Sequence, residues 1–377
     1  MGMDWVPPPN HTPYTGIKLP NTHTPSVDAD YLRKETLNHP NTVFIQHVLR
    51  NSIEGARLGF TCPVEEVAPR LRQANNLSST KLHPHIIEKF IKEETETKRW
   101  AGPFDSPPHP NAQVIPLGLA KKGDHPMSET ARIITHCSKK WDDGVSLNDL
   151  IPDAAASVSY VKWVNVLDDV RDLEKEAGKQ GEVWATTTDV KFAFRNIKIH
   201  DEHLHLLVYA WPDKDGVTKY YVEQVLSFGA RANPRTFDAL ASAIHYILDL
   251  KMKEAGLNVR INHLLDDLII CGVDKTTTIA AYKIMGDVLT LTGLPLHPGK
   301  TIPPTQQLTY LGGVFNFKDR TIEMPVIKRQ ILIRDLEEIF NKPEKKLLVT
   351  TLHSIVGKLG WQGAVIAITP PKNQVIF

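Results

Sequence analysis

Apolar residues recur at helical spacing over 39–59, where Val43, Phe44, His47, Val48 and Ile53 share a face and Gly55 or Gly59 ends the run. A second amphipathic stretch covers 84–99, with Ile86, Ile87, Phe90 and Ile91 on one side and Glu88, Lys89, Lys92 and Glu93 on the other. Period-two runs then predict strands at Gln113 to Ala120 and Ala131 to His136, joined by a basic turn as a hairpin. Val158, Val161, Val164, Leu167, Val170 and Leu173 predict a helix closed by Gly178 and Gly181. Strands are expected at Val183 to Val190, His203 to Ala210 and Lys219 to Leu226, the last two separated by the turn Pro212-Asp-Lys-Asp-Gly216. Asn233 and Pro234 open a helix that Gly256 stops. Val259 to Cys271 reads as strand-turn-strand, Ile279 to Leu291 as a helix, and two helices follow residue 325. This order predicts an α+β fold, with helices on one face of an antiparallel sheet and the other face open.

Seven of the 27 prolines fall in the first forty residues, so 1–40 is expected to be an extended arm. Lys and Arg number 44 against 43 Asp and Glu, so nucleic-acid contact must come from local basic patches and not from a global positive field. Cys62, Cys137 and Cys271 lie far apart, which excludes a disulfide scaffold and a cysteine zinc site. The start lacks a basic and an apolar segment, and no apolar run reaches a membrane-spanning length, so the expectation is a protein of the cytoplasm or nucleus. His203 and His205 alternate on the expected strand with no third ligand, and are read as solvent-facing.

The chemistry lies in aspartates. Asp266-Asp267 stands at a turn between apolar strands, where paired charges are costly unless a cation neutralises them. Asp168-Asp169, on a polar helix face, is read as a solvated pair. Asp189 ends the strand Trp184-Ala-Thr-Thr-Thr-Asp and supplies a third carboxylate. Three carboxylates on neighbouring strand ends can hold two Mg²⁺ (or Mn²⁺) ions about 3.5–4 Å apart for phosphoryl transfer. The plain alternative is a strand-end Asp and an ordinary Asp-Asp turn.

The ordered series decides between them. Asp189-Val-Lys-Phe-Ala-Phe-Arg-Asn-Ile, Ser227-Phe-Gly-Ala-Arg-Ala-Asn-Pro, Leu264-Leu-Asp-Asp-Leu, Gly293-Leu-Pro-Leu-His-Pro-Gly-Lys and Leu308-Thr-Tyr-Leu-Gly-Gly resemble the successive palm motifs of reverse transcriptases. Pro116-Leu-Gly-Leu-Ala-Lys-Lys and Ala131-Arg-Ile-Ile resemble the fingers strands. Within that family the series is most similar to retrotransposon elements of the DIRS-like, tyrosine-recombinase group. The resemblance spans roughly 39–365. It implies a right-hand polymerase: arm 1–40, leader helices and fingers 41–182, palm 183–324 and a partial helical thumb 325–377.

It also implies roles. Asp189 and Asp266 would bridge two metals, Asp267 would assist and Val190 would offer its carbonyl. Phe194 would be the aromatic gate that collides with a ribose 2′-OH. Phe228 and Gly229 would pack against the incoming nucleotide, Lys121, Lys122 and Arg132 would clamp the triphosphate, and Lys300 would protonate pyrophosphate. Leu264 stands where the family usually has Tyr, and His136 where Asp is common. The implied partners are an RNA template, a DNA primer and dNTPs, with RNase H or recombinase domains elsewhere in the element. Two other readings stand beside this one: a catalytically weak or inactive remnant that only binds nucleic acid, and an RNA-directed RNA polymerase sharing the palm. After residue 325, Lys342, Lys345 and Lys346 are expected to grip duplex phosphates, with Ile327, Ile331 and Phe340 docking one helix on the next.

Overall fold

The computed structural model describes residues 14–122, 126–178, 180, 182–341, 349–366 and 375–376. The helices are α1 (Ala29–Glu35), α2 (Thr42–Ile53), α3 (Val64–Val67), α4 (Ser78–Leu82), α5 (Pro84–Glu96), α6 (Asp153–Ala156), α7 (Trp163–Ala177), α8 (Asn233–Glu254), α9 (Lys275–Leu291), α10 (Val326–Phe340) and α11 (Val349–Ile366). The strands are β1 (Arg72–Gln73), β2 (Trp100–Phe104), β3 (Gln113–Val114), β4 (Leu117–Lys121), β5 (Ala131–Thr135), β6 (Trp184–Asp189), β7 (Val208–Pro212), β8 (Thr218–Glu223), β9 (Val259–Leu264) and β10 (Asp267–Gly272). They continue with β11 (Ile302–Thr305), β12 (Gln307–Tyr310), β13 (Gly313–Asn316), β14 (Thr321–Glu323) and β15 (Val375–Ile376). No helix among the described residues is long and apolar enough to cross a membrane.

The chain forms two compact units, each drawn from three segments. The first takes Met1–Ser159, Lys191–Ile247 and Leu289–Pro295. It holds a five-stranded sheet of order β1-β3-β7-β8-β2 and the β4–β5 hairpin. Local chemistry sets its helices. Asn41 caps α2 by accepting from the Phe44 N–H at 2.9 Å. Pro84 opens α5, which buries Ile87, Ile91 and, unexpectedly, Glu94.

The second unit takes Tyr160–Val190, Leu248–Val288 and Leu296–Phe377. Its main sheet runs β11-β6-β10-β9, and a second sheet runs β12-β13-β14-β15. Helix α7 buries Trp163, Val166, Leu167, Val170 and Leu173 in one core with Ile269, Cys271, Tyr310 and Phe315. Gly178 ends it in the left-handed region (φ 66°). Strand β6 carries three buried threonines, whose hydroxyls would be costly without partners. Each has one: Thr186 donates to the Ile302 carbonyl (2.6 Å), Thr187 to the Leu268 carbonyl (2.8 Å), and Thr188 bonds the Thr301 hydroxyl (2.8 Å).

Four expectations change. The arm is extended over 14–28 but tied down: the Asn21 amide donates to the carbonyls of Ile199 (2.9 Å) and Gln224 (2.7 Å), and Lys18 pairs with Glu202 (3.0 Å) before α1 begins. His203 and His205 lie on a buried 3-10 turn, Asp201–Leu206, not on an exposed strand. Asp169 is not a solvated partner of Asp168; it is half-buried and accepts from the Asn262 amide at 2.6 Å, because β9 packs over that turn of α7. On α10, Ile327 and Phe340 are exposed and Leu332 is buried instead, and Asp335 pairs with Lys358 of α11.

Candidate active site

In the second unit, β6 and β10 are antiparallel neighbours with Asp189 opposite Asp267. Directly opposed residues project on the same face, so the register alone brings two carboxylates together. Leu264 pairs with Asp267 across β9 and β10, leaving a two-residue loop, Leu265-Asp266. Leu265 has φ 55°, a left-handed conformation that a tight hairpin turn demands and leucine tolerates poorly. That strain turns the chain sharply enough to put Asp266 at the tip. The Val190 N–H donates to the Asp266 carbonyl at 3.1 Å, which ties the tip to the end of β6.

Burial raises the Asp267 carboxyl to about 6, with the like charges of Asp266 and Asp189 adding to the effect. Asp266 is raised as well, by burial first and then by the charge of Asp189. Against them stands Lys300, hydrogen-bonded to the Asp189 carboxylate and thereby held more firmly protonated. Lys300 is carried on the turn that follows His297, whose N–H donates to the Asp189 carbonyl at 2.9 Å. A cavity of about 460 Å³ opens beside Asp267, lined also by Lys162, Trp163, Leu264, Gly312 and Lys328. Its lining mixes apolar side chains with the charged Asp267, Lys162 and Lys328.

The donor chemistry suits a hard divalent cation, since the oxygens are carboxylates that repel one another with one nearby ammonium to balance them. Among the described residues, however, no three His, Cys, Asp or Glu converge closely enough to hold a metal ion, and Asp189 bonds Lys300 instead.

The first unit holds the other residues singled out in the sequence. The Phe194 ring is buried, 5.0 Å from that of Phe228 and 5.5 Å, edge-on, from that of Phe237. Phe228 itself is exposed. A Cβ at Gly229 would fall 2.0 Å from the Thr135 carbonyl oxygen, so only glycine fits there. Asn148 holds this loop by donating to the Gly229 carbonyl (3.0 Å) and accepting from the Arg231 N–H (3.0 Å). Lys121, Lys122 and Arg132 are exposed, at the turn end of the β4–β5 hairpin, where Lys121 pairs with Ala131. Lys342, Lys345 and Lys346 lie outside the described residues.

Sequence reasoning missed a buried charge cluster in this unit. Arg195 bonds Glu94 and Glu223, and Arg99 forks onto Glu94. One signal was available: Glu94 falls seven residues after Ile87 and three after Ile91, on the apolar stripe of α5.

A sheet with carboxylates at adjoining strand ends and a tight hairpin at its tip is the palm architecture of a right-hand polymerase. Residues 122–315, more than half of the chain, match the reverse transcriptase (RNA-dependent DNA polymerase) family, and the chain belongs to it. Among solved structures, a foamy viral protease-reverse transcriptase in complex with dsDNA is similar at 15% identity and TM-score 0.51, over 92% of this chain and 63% of that one. A foamy viral protease-reverse transcriptase dRH in complex with dsDNA is similar at 13% identity and TM-score 0.54, over 97% of this chain and 59% of that one. The chain thus spans about three fifths of the length of these structures, and the likeness shows a shared fold. No curated protein sequence matches the chain.

Proposed function

We propose that the chain is an RNA-directed DNA polymerase that extends a DNA primer on an RNA template with dNTPs, and that it comes from a retrotransposon of the DIRS-like group. The observation that carries the reading is the register of β6 against β10, which sets Asp189 opposite Asp267 with Asp266 at the hairpin tip. Asp189 and Asp266, with Asp267 assisting and the Val190 carbonyl beside them, would hold two Mg²⁺ or Mn²⁺ ions, which supply Lewis acidity at the attacking and leaving oxygens.

The chain's own groups do the rest. Lys300 Nζ carries the proton passed to the departing pyrophosphate. Lys121, Lys122 and Arg132 bind the triphosphate, where fixed cations stabilise developing negative charge. The Phe194 ring fills the volume a 2′-OH needs, and Phe228 and Gly229 lie against the nucleotide. The cavity beside Asp267 takes the primer's terminal nucleotide, its apolar wall against the sugar and Lys162 and Lys328 toward phosphate. RNase H and recombinase domains of the same element are the proposed partners.

The test is primer extension on an RNA template with Mg²⁺ or Mn²⁺. The wild type extends the primer, and Asp189→Asn or Asp266→Asn loses at least about 10³-fold in rate while still binding primer-template. A second reading, a remnant that binds nucleic acid without catalysis, is favoured by Leu264: a side chain with no hydroxyl on the wall of that cavity. Primer-template binding without extension under either metal would establish it.

A further inference from the structure

Phe192 and Ala193 have φ of 68° and 36°, conformations that side-chain-bearing residues rarely adopt. Each costs about 1–3 kcal/mol and survives only where the surroundings over-determine it. From within the turn, Asn196 Nδ2 donates to the carbonyls of Lys191 (3.0 Å) and Ala193 (2.9 Å), and the Arg195 N–H donates to the Phe192 carbonyl (2.8 Å). From the core, the Arg195 guanidinium splays between two elements far apart in sequence. Its Nη1 donates to Glu223 Oε2 at the end of β8 (2.9 Å), and its Nη2 donates to Glu94 Oε2 on α5.

Both glutamates are themselves anchored. Glu223 Oε2 also accepts from Trp100 Nε1 (3.0 Å) and the Tyr209 hydroxyl (3.2 Å). Glu94 takes a second fork from Arg99, through Nε (2.9 Å) and Nη2 (2.8 Å). Two arginines thus balance two glutamates, and Arg195 keeps 8% of its surface exposed while Glu223 keeps none. Charged groups this deeply buried are tolerable only when paired, and Glu223 is paired through Oε2 alone, its buried Oε1 having no hydrogen-bond partner among the described residues. An apolar side chain would have filled the same space without that demand.

We propose that Arg195 is a positioning residue for nucleotide selection: its fork between Glu94 and Glu223 fixes the 191–196 turn and, through it, the Phe194 ring against Phe228 and Phe237. The inference rests on the reading of Phe194 as the sugar-selecting ring. Lysine at 195 would keep the charge but, lacking the planar fork, could hold one glutamate at a time.

The experiment compares the full chain with Arg195→Lys, Phe194→Ala and the double variant, each first checked by thermal melting. Arg195→Lys raises the ratio of ribonucleotide to deoxynucleotide incorporation roughly three- to tenfold, with the change lying more in KM for dNTP than in kcat. Phe194→Ala raises the ratio further, and the double variant does not exceed it, because Arg195 acts only through the ring. A fluorinated phenylalanine incorporated at position 194 gives a second readout: its ¹⁹F line shifts or broadens in Arg195→Lys. Should that variant not fold, Glu223→Gln, which keeps an acceptor oxygen in place, is expected to show both effects. A folded Arg195→Lys or Glu223→Gln with a wild-type ratio and an unmoved fluorine line overturns the proposal. If Phe194→Ala leaves the ratio unchanged, the gate reading is what fails, and the fluorine line alone decides the positioning claim.

Discussion

Three carboxylates and one ammonium share the tip of the palm sheet, and their charges do not balance. Burial and the neighbouring aspartates raise the Asp267 carboxyl to about 6, so its ionised form destabilises the metal-free protein at neutral pH. Asp267→Asn is therefore expected to stabilise the chelator-treated protein by about 1–2 kcal/mol, after discounting for solvent, while depressing primer extension. Melting curves in chelator test the first half; a lower melting temperature than wild type would mean that the carboxylate is satisfied by its neighbours and not strained by repulsion. The same residue scale explains why Gly229 is glycine, since the Thr135 carbonyl occupies the space of a Cβ. It also shows where sequence reasoning failed. Asp168 and Asp169 look alike in the sequence, yet Asp169 bonds Asn262, 93 positions away. No local pattern reports a partner at that separation.

At the scale of elements, the arm is the least expected feature. Tyr14 is buried, its ring stacks on His205 (5.6 Å between centroids), and its hydroxyl bonds His109 (3.2 Å). His109 in turn stacks on His205 at 4.2 Å. Burial first, and the neighbouring His109 second, hold the His205 imidazole down at about 3; His109 is itself lowered by burial. In the unfolded chain a histidine titrates near ~6.5. Between these values the unfolded state takes up a proton that the folded state refuses, so the contribution is whole above pH ~6.5 and falls by up to about 1.4 kcal/mol per pH unit on acidification. Protection factors for hydrogen exchange over residues 14–24, each taken against the intrinsic rate at its own pH, are thus expected to fall as pH drops from about 7 to about 5, the lower flank of the histidine titration. His205→Phe, which keeps the stacking and removes the titration, should flatten the slope; an unchanged slope would place the sensitivity in another group. The periodicities of α2, α5 and α7 were legible because the interactions that set a helix lie within one or two turns. The turn Asp201–Leu206 was not, because its histidines alternate as on a strand while tertiary burial, not pairing with a neighbour strand, holds them.

For the whole molecule the formal charge of +1 leaves little long-range attraction for a polyanion. The proposed binding of a template-primer duplex would then rest on local cations. Charge reversal at Lys342, Lys345 and Lys346 together is expected to weaken binding and flatten the log-log salt slope by up to about 0.9 for each phosphate no longer neutralised, with little change in melting temperature. Equal slopes for variant and wild type would assign duplex binding to other cations. What the sequence determined by itself is the longer helices, the strands that carry the aspartates, the ordered aspartate motifs and the family they belong to, because periodicity, turn chemistry and motif spacing are written in neighbouring residues. Only the tertiary structure decided the strand order β11-β6-β10-β9 that puts Asp189 opposite Asp267, the pairing of Arg195 with Glu94 and Glu223, and the docking of the arm. Each of these joins residues tens to hundreds of positions apart, and a buried charge or carbonyl accepts whichever partner the packing of distant segments delivers to it.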